Sequence, residues 1–351
     1  MNIIDKGKML VRLLADNRQP KVFSFHDSLP DVFSSYLELL MIKRFRILSA
    51  QELLDRLSLN RKDEKIRAKE AVLTFDDGRR NCWTVIFPLL KKYKIKAIFF
   101  VIPERIQETQ EVYPNLEDFW KGKVSWENLY LTHRKIPYLT WKELDIMQQS
   151  GLVEVFSHSM SHEVIPVSSR VVDFQHPGVY EMPVYFDEWF QNKTPSLDSV
   201  WGAPMYERSW APLTSNAYVP NVLADVFMNE FVKKNGGYLF FKKKDWRKLL
   251  FEFYEMNKMK FAPGHFRRLE NKEDARVSIV ESKRIIEKRL TKSCFCFSLP
   301  LYQANLELLT LLKEAGYKII FTGPERKKFP SLKLFLLNRI PSFWIKFLAY
   351  V

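Results

Sequence analysis

Cysteine is scarce in this sequence of 351 residues, which contains only Cys82, Cys294 and Cys296. Three cysteines cannot form a disulfide framework, and the spacing of the last two does not suit a structural zinc site. Long hydrophobic runs are also missing, since runs such as residues 97–102 fall far short of the roughly 20 residues that span a bilayer. Residues 1–8 lack the apolar stretch of a secretory signal. We therefore expect neither a disulfide framework nor a transmembrane helix, and we expect a cytoplasmic location instead of secretion.

Positive charge dominates the composition, with 55 Lys and Arg against 41 Asp and Glu and a formal net charge of +14. A positive field attracts polyanions, which include nucleic acids, anionic lipid surfaces and anionic substrates. The basic residues are scattered, however, and the short clusters 242–244 and 326–328 are typical of solvated faces. We expect no nucleic-acid partner and favour an anionic substrate.

Short apolar runs of strand length alternate with helical periodicity over most of the chain. The runs predict strands over residues 22–26, 71–75, 96–101, 152–156, 294–297 and 317–321. The periodicity predicts helices over residues 37–44, 50–57, 83–93, 141–149, 277–290 and 306–315, with Ser49 and Thr140 as N-caps. This alternation indicates an α/β fold with a parallel sheet covered by helices, either an open doubly wound sheet or a barrel.

The alternation is lost between about residues 163 and 272, where the sequence is rich in proline and aromatic residues. This insertion is predicted to have little regular structure in its first half and helices over 222–234 and 244–258 in its second. It serves either as a substrate-binding excursion or as an added packing layer. Residues 326–351 form a basic amphipathic segment that either lies on an anionic membrane surface or packs on the main domain.

The strongest local signal is Thr74-Phe-Asp-Asp-Gly78, at the end of a predicted strand. Two adjacent carboxylates are costly to bury together unless a positive charge, such as a metal ion, lies beside them. The glycine permits an abrupt backbone turn. Taken alone, the motif is equally consistent with a catalytic or metal-binding pair and with a cap of the helix that begins near Trp83.

The second signal is His158-Ser-Met-Ser-His162, which follows another predicted strand. Histidines at i and i+4 share one face of a helical turn, and this spacing lets both imidazoles reach one metal ion. The carboxyl ends of parallel strands meet at one edge of a sheet, so one carboxylate and both histidines would supply three ligands there. The two motifs together predict a metal site, whereas either histidine taken alone could be a solvated residue of a serine-rich loop.

These motifs and their flanks resemble the polysaccharide deacetylase family with the NodB homology domain, a carbohydrate-esterase-like group. The resemblance covers about residues 20–165 and 275–325, on both sides of the insertion. Further matching segments are Phe87–Tyr93, Ala97–Val101, Glu281–Glu287, Cys296–Pro300 and residues 308–321. The resemblance implies a distorted (β/α) barrel over residues 1–325, interrupted by the long insertion at about 163–272.

The family's metal chemistry carries over to four positions of this chain. The resemblance implies that Asp77, His158 and His162 hold a divalent metal, usually zinc in the family. It implies that Asp76 is the general base, which accepts a proton as water attacks the acetyl carbonyl.

The family's third motif carries over to the substrate-binding pair Leu301 and Tyr302. By analogy, the backbone amide of Leu301, directly after Pro300, helps to hold the oxyanion.

Two features of the family are missing from the matching positions. The arginine that pairs with the base is absent from residues 297–302, which leaves Arg267 and Arg268 as candidate partners of Asp76. The family's distal histidine, its general acid, is also absent, because no histidine follows His265. Either His265 has this role, or the proton comes from elsewhere, or the protein binds sugar without turnover. His26, at the end of the first strand, could face the barrel mouth.

We therefore expect a metal-dependent amide hydrolase that removes an N-acetyl, or another N-acyl, group from a carbohydrate. The acetylated sugar would be an intermediate of surface polysaccharide or glycolipid biosynthesis, and a nucleotide- or lipid-linked form would suit the basic chain. The enzyme could associate with the inner face of the membrane. The alternative is a catalytically inactive carbohydrate-binding or scaffold protein on the same barrel.

Overall fold

The computed structural model describes residues 3–15, 19–59, 69–177, 200–261, 263–269, 274–323 and 333–350. The chain forms two compact units, one of residues 1–162 with 274–351 and one of residues 163–273.

Twelve strands occur in the described residues, numbered in chain order. They are β1 Lys21–Phe25, β2 Arg46–Ile47, β3 Glu70–Phe75, β4 Ala97–Val101, β5 Val153–Ser157, β6 Val164–Phe174, β7 Pro204–Trp210, β8 Asn216–Val219, β9 His265–Arg268, β10 Cys296–Ser298, β11 Ile319–Thr322 and β12 Phe335–Pro341. The α-helices are α1 Ile3–Ala15, α2 Pro30–Ile42, α3 Ala50–Ser58, α4 Phe87–Tyr93, α5 Leu116–Trp120, α6 Trp126–Lys135, α7 Trp141–Gln149, α8 Val222–Lys234, α9 Trp246–Asn257, α10 Ala275–Leu290 and α11 Leu306–Glu314.

The first unit is a closed barrel of seven parallel strands. The strands pair in the order β1-β12-β11-β10-β5-β4-β3, and β1 pairs with β3 to close the ring, while β2 pairs only with β3. The strands β1, β3 and β4 are buried along their whole length, as expected of parallel strands covered by helices. Of the two architectures that the sequence allowed, the barrel is confirmed.

The local signals for helix ends are confirmed as well. Ser49 and Thr140 each form a capping box, in which the hydroxyl accepts a hydrogen bond from the backbone three residues on and a glutamate bonds back to the cap. The helices α3 and α7 therefore begin where the sequence predicts.

The strand β12 was not predicted. The composition of residues 326–351 predicts a separate basic amphipathic segment, whereas residues 335–341 lie in the barrel, between β1 and β11. A polar pair, Asn338 and Arg339, interrupts the apolar run and hides the strand pattern. The following residues 342–350 bury Ile345 and Leu348. Residues 324–332 lie outside the described part of the chain.

The second unit has more regular structure than predicted. Its proline-rich half contains the antiparallel pair β6 and β7 and the strand β8, which pairs with β9. Proline is tolerated in β6 because the strand register shifts between Pro166 and Val171, and Pro204 begins β7. Residues 178–199 of the insertion, with Pro183 and Pro195, lie outside the described residues. The predicted helices of the second half are confirmed as α8 and α9.

A buried ion pair holds the chain that follows Gly78. The guanidinium of Arg80 donates to the carboxylate of Glu143, and neither side chain is exposed. Arg80 also donates to the carbonyls of Ile136 and Tyr138, and Glu143 accepts the backbone N–H of Thr140. Because every part of the pair is bonded, it can remain buried, and it ties residues 78–80 to the start of α7.

Among the described residues, no helix has both the length and the apolar character needed to cross a bilayer.

The stability of the second unit is expected to depend on Asp225 of α8. Burial raises the pKa of this half-buried carboxyl group to about 6, above its value in an unfolded chain, so the folded state favours the protonated form. Its contribution to stability is therefore present below about pH 4 and is lost as the pH rises through about 6. Replacing Asp225 by Asn should leave stability nearly unchanged at pH 4 and raise it by on the order of 1–3 kcal/mol at pH 8.

Urea unfolding between pH 4 and 8 tests this prediction, with Glu230→Gln on the exposed side of α8 as the control. The prediction is wrong if the difference between wild type and Asp225→Asn is the same at every pH.

Candidate active site

The carboxylate motif forms a tight turn at the end of β3. The backbone N–H of Asp76 donates to the carbonyl of Phe25 at 3.0 Å, which continues the pairing with β1. Asp77 and Gly78 then both adopt the left-handed region, with φ of 73° and 69°. A Cβ at residue 78 would lie 2.8 Å from Cδ1 of Ile106, so both the backbone and the packing require glycine there.

The histidine motif does not form the helical turn expected from its spacing. Residues 158–162 follow β5 as an irregular bend, with left-handed φ of 72° at Ser159 and 55° at His162. The two imidazoles nevertheless come together, with ring centroids 4.7 Å apart. The predicted helical turn is wrong, because an irregular loop brings the two imidazole rings together.

Buried serines hold this loop. The Ser159 hydroxyl accepts the backbone N–H of His162 at 3.1 Å, and the Ser278 hydroxyl of α10 accepts that of Met160, also at 3.1 Å. One turn further along α10, the hydroxyls of Ser282 and Ser157 lie 2.7 Å apart. The serine-rich character of the motif therefore reflects buried hydrogen bonding and not a solvated loop.

The structure brings Asp77, His158 and His162 together, with one candidate ligand atom from each lying within 4.8 Å of the others. All three are buried. Nδ1 of His158 lies 2.8 Å from the carbonyl of Ser298, and Nδ1 therefore carries the proton. The other ring nitrogen, Nε2, faces the carboxylate and lies 3.6 Å from Oδ1 of Asp77. One carboxylate and two imidazoles, one of them oriented by a backbone carbonyl, are a donor set that fits a catalytic zinc ion.

Burial also favours the form of the histidines that binds metal. It lowers the pKa of His162 to about 3, with a further contribution from the neighbouring His158. It lowers the pKa of His158 in the same direction, against the opposing effect of Asp76. Both imidazoles are therefore neutral near pH 7, and a neutral imidazole is the ligand form.

Asp76 is paired with Arg339. Both carboxylate oxygens lie 2.7 Å from Nη1 of Arg339, and the Ser298 hydroxyl donates to Oδ1 at 3.3 Å. Arg339 is 1% exposed and Asp76 2%. Burial by itself raises the pKa of Asp76, but the charge of Arg339, with smaller effects of His158 and His26, outweighs it and holds the pKa below its usual range. Asp76 is therefore ionised in a buried site.

Arg339 is the arginine that the sequence analysis did not find. Residues 297–302 contain no arginine, and the predicted alternatives Arg267 and Arg268 are exposed residues of β9 in the second unit. Arg339 instead lies on β12, the barrel strand that was not predicted. A lone arginine inside the apolar run 335–340 was the signal that could have indicated it, because a charge is buried in a strand only with a partner.

His26 also lies at this site. It follows β1, and its Nε2 is 4.0 Å from Oδ2 of Asp76, with about a third of its side chain exposed. Burial lowers the pKa of His26 to about 4; Arg79 and Arg339 act in the same direction and Asp76 opposes them. His265, the residue considered for the acid role, is an exposed residue of β9 in the second unit.

Leu301 and Tyr302 form a short turn after β10. Both residues are left-handed, with φ of 51° and 58°, and a Cβ at Gly323 would lie 2.8 Å from Cβ of Tyr302. The Tyr302 ring lies 4.8 Å from the guanidinium of Arg339, and its hydroxyl is 3.4 Å from that of Ser24. The turn thus joins the Asp76–Arg339 pair through Tyr302.

Comparison with known proteins supports the resemblance. Residues 63–177 match the family model described as polysaccharide deacetylase, and the resemblance to this family is thereby confirmed. No curated protein matches the chain.

Several solved structures are similar to the chain. IcaB from Ammonifex degensii is 16% identical, with 95% of this chain and 96% of that chain covered and a TM-score of 0.49. The deacetylase domain of BpsB from Bordetella bronchiseptica is 18% identical, with 93% and 97% covered and a TM-score of 0.47. The Streptococcus pyogenes deacetylase PplD in complex with acetate is 16% identical, with 95% and 98% covered and a TM-score of 0.46.

We expect the effects of substituting Asp76 and Arg339 on stability to be strongly coupled. Arg339→Gln leaves a buried carboxylate without its counter-charge and Asp76→Asn leaves a buried guanidinium, so each variant should lose about 3–5 kcal/mol of stability. The double variant replaces both charges by amides and should regain at least half of the summed loss. Urea unfolding of the four proteins measures this coupling. Losses that simply add would show that the two side chains do not depend on each other.

Proposed function

We propose that this chain, a hydrolase of polysaccharide deacetylase type, removes the N-acetyl group from a sugar. The bond it cleaves is a carbon–nitrogen bond other than a peptide bond, and its metal is zinc. The observation that carries the proposal is the proximity of three metal-ligand side chains to an ionised, buried carboxylate. Asp77, His158 and His162 would hold the metal, and Asp76 would be the base.

The metal ligands follow from the chemistry of the donor set. A carboxylate and two neutral imidazoles are typical of catalytic zinc sites, in which a fourth position stays open. When bound there, a divalent cation polarises the acetyl carbonyl and lowers the pKa of a water molecule. The backbone carbonyl of Ser298 supports this role, because it fixes the ring of His158.

Asp76 is suited to accept the proton of the attacking water. The positive charge of Arg339 keeps this carboxylate ionised in spite of its burial, and the hydrogen bonds from Arg339 and Ser298 orient it. Arg339 is then a positioning residue, which acts through Asp76 and takes the place of the arginine expected in residues 297–302.

His26 is suited to deliver the proton to the leaving nitrogen. Water adds to the carbonyl carbon and gives one proton to Asp76, and cleavage of the carbon–nitrogen bond leaves an amine that must gain one proton. Nε2 of His26 lies 4.0 Å from Oδ2 of Asp76, beyond direct hydrogen-bond reach, so the proton would pass between them through one bridging water. The partial exposure of His26 gives it access to substrate. This role replaces the one considered for His265.

The turn at Leu301 and Tyr302 supports an oxyanion site. Within this turn the amides of Tyr302 and Gln303 donate to the carbonyls of Leu299 and Pro300, so the oxyanion role falls to the amide of Leu301 alone. We propose that the amide of Leu301 stabilises the negative charge that develops on the carbonyl oxygen.

The substrate proposed is an acetylated sugar of surface polysaccharide or glycolipid biosynthesis, carried on a nucleotide or a lipid. The net charge of +14 supports an anionic carrier and contact with an anionic membrane surface.

Metal binding is the first test. Purified protein dialysed against chelator and titrated with zinc should bind about one ion per chain. Asp77→Ala and His158→Ala should each weaken binding by at least about 10- to 100-fold, and His265→Ala serves as the matched control. Unchanged zinc affinity in the two site variants would contradict the assignment of these ligands.

Acetate release from N-acetylated sugars is the second test. His26→Gln should lower the rate by about 10²–10⁴-fold with zinc binding unchanged. The double variant Asp76→Asn/Arg339→Gln should also lose activity while retaining zinc, since it lacks the base but not the ligands. If zinc-loaded wild type binds these sugars without releasing acetate, the chain is a binding or scaffold protein instead.

A further inference from the structure

The two helices of the second unit, α8 and α9, pack together and are joined by residues 235–245. The ring of Phe231 in α8 stacks on that of Phe253 in α9, with centroids 3.9 Å apart. Gly236 and Gly237 both adopt the left-handed region, with φ of 110° and 56°, and turn the chain out of α8. A short 3₁₀ helix over Gly237–Lys242 then leads towards α9. We call residues 233–248, the connection with the adjoining ends of both helices, the hairpin tip.

Positive charge is concentrated at the hairpin tip. It contains seven Lys and Arg against one Asp, a net charge of +6 within 16 residues of a chain whose net charge is +14. All seven basic side chains are exposed: Lys233, Lys234, Lys242, Lys243, Lys244, Arg247 and Lys248. Three of them have an acidic neighbour within ion-pair distance, at Glu230, Asp173 and Glu252. The other four, Lys233 and the lysines 242–244, form no ion pair with any residue that the structure describes.

These charges oppose the local electrostatics of the fold. The N-terminus of a helix carries partial positive charge and favours acidic residues in the first turn. The first turn of α9 instead contains Arg247 and Lys248, and three lysines precede it. Asp245, the N-cap residue, makes no capping hydrogen bond with its side chain. A local arrangement that costs stability and has no compensating contact indicates a function, here the binding of an anionic partner.

An exposed apolar pair lies between the two groups of cations. Tyr238 is 48% exposed and Leu239 69%. The next residue, Phe240, is fully buried in the core of the second unit, so the backbone of the hairpin tip is held in place before any partner binds. Nζ of Lys242 lies 4.8 Å from the centre of the Tyr238 ring. The hairpin tip therefore presents apolar and cationic groups side by side.

This combination limits the kind of partner. A nucleic acid or a free sugar nucleotide would interact with the cations but would gain little from an exposed leucine. An anionic lipid bilayer attracts basic residues to its surface and also accepts apolar side chains at the level of its headgroups. Tyrosine suits that level because its ring is apolar and its hydroxyl is polar. Charge and apolar exposure together therefore favour a membrane.

We propose that the hairpin tip docks the chain on an anionic membrane surface. Tyr238 and Leu239 insert among the lipid headgroups, and the flanking lysines contact the lipid phosphates. The lysines 242–244, which their sequence assigned to a solvated face, are then part of a binding surface. Residues 326–351, the other candidate for membrane contact, contribute β12 to the barrel instead. The inference rests on the proposed function only for the membrane contact, which it assigns to one element, and not for the reaction.

Vesicle sedimentation tests the proposal. Zinc-loaded protein should bind vesicles of equal parts phosphatidylcholine and phosphatidylglycerol, and it should bind vesicles of phosphatidylcholine alone far more weakly. Lys242→Gln/Lys243→Gln/Lys244→Gln should weaken binding at least about 30-fold, because each basic residue near an anionic surface strengthens binding by about fivefold. Thermal unfolding of this variant should occur at the wild-type temperature or slightly above it, since the substitutions remove charges that oppose α9.

The matched control for the lysines is Lys92→Gln/Lys288→Gln/Lys313→Gln. It removes the same charge at three exposed positions of α4, α10 and α11. Charges remote from the docking surface are screened by salt, so this variant should weaken vesicle binding by less than about threefold.

A second pair of variants tests the apolar contact. Tyr238→Ser/Leu239→Ser should weaken vesicle binding at least about tenfold, because it removes the side chains that enter the headgroup layer. Met256→Ser/Met259→Ser, at positions 73% and 90% exposed near the opposite end of α9, is the matched control and should leave binding unchanged.

Three results would overturn the proposal. One is the absence of wild-type binding to the anionic vesicles, and another is an equal loss in the two triple lysine variants, which would make net charge alone responsible. The third is full vesicle binding by Tyr238→Ser/Leu239→Ser while the 242–244 variant loses binding to vesicles and duplex DNA alike, which would make the hairpin tip a general polyanion site. Sedimentation measures neither zinc binding nor acetate release, so failure of the proposed reaction is distinguishable from failure of membrane docking.

Discussion

The buried pair of Asp76 and Arg339 is the interaction on which the candidate active site depends. The carboxylate at the end of β3 stays ionised chiefly because a guanidinium from β12 lies 2.7 Å away. The two residues are 263 positions apart in the sequence, and closure of the barrel brings them together. The same closure buries the charges, which makes the pair costly to break. The stability of the barrel and the reactivity of its edge are therefore linked through one contact.

The candidate metal-ligand side chains are positioned by backbone that departs from regular structure. Asp77 and His162 are left-handed, and both lie in loops that directly follow buried strands. Such conformations are tolerated where the surrounding structure over-determines them. Here the constraint comes from the close packing at Gly78 and from the hydrogen bonds of Ser159 and Ser278. The regular barrel supplies the rigid edge, and these short loops turn the side chains towards each other.

Much of the fold could be predicted because its signals are local. Buried parallel strands are continuous apolar runs, and Ser49 and Thr140 mark helix starts through their own side chains. The strand β12 escaped notice because its charge, Arg339, is compensated by a distant residue that no local pattern reveals. The strands around Pro166 and Pro204 escaped for a similar reason, since a register shift or a strand end accommodates proline only once the partner strand is known.

The sequence by itself determined which residues are candidates for the chemistry: the carboxylates 76 and 77 and the histidines 158 and 162 follow strands whose carboxyl ends share one edge of a parallel fold. Only the tertiary structure decided what surrounds them. Barrel closure brings Arg339 and His26 to Asp76, and an irregular loop instead of a helix brings the two imidazoles together. The physical reason is range: strand and helix patterns arise from neighbours along the chain, whereas the charge state of a buried group depends on whichever residues the fold brings within a few ångströms of it.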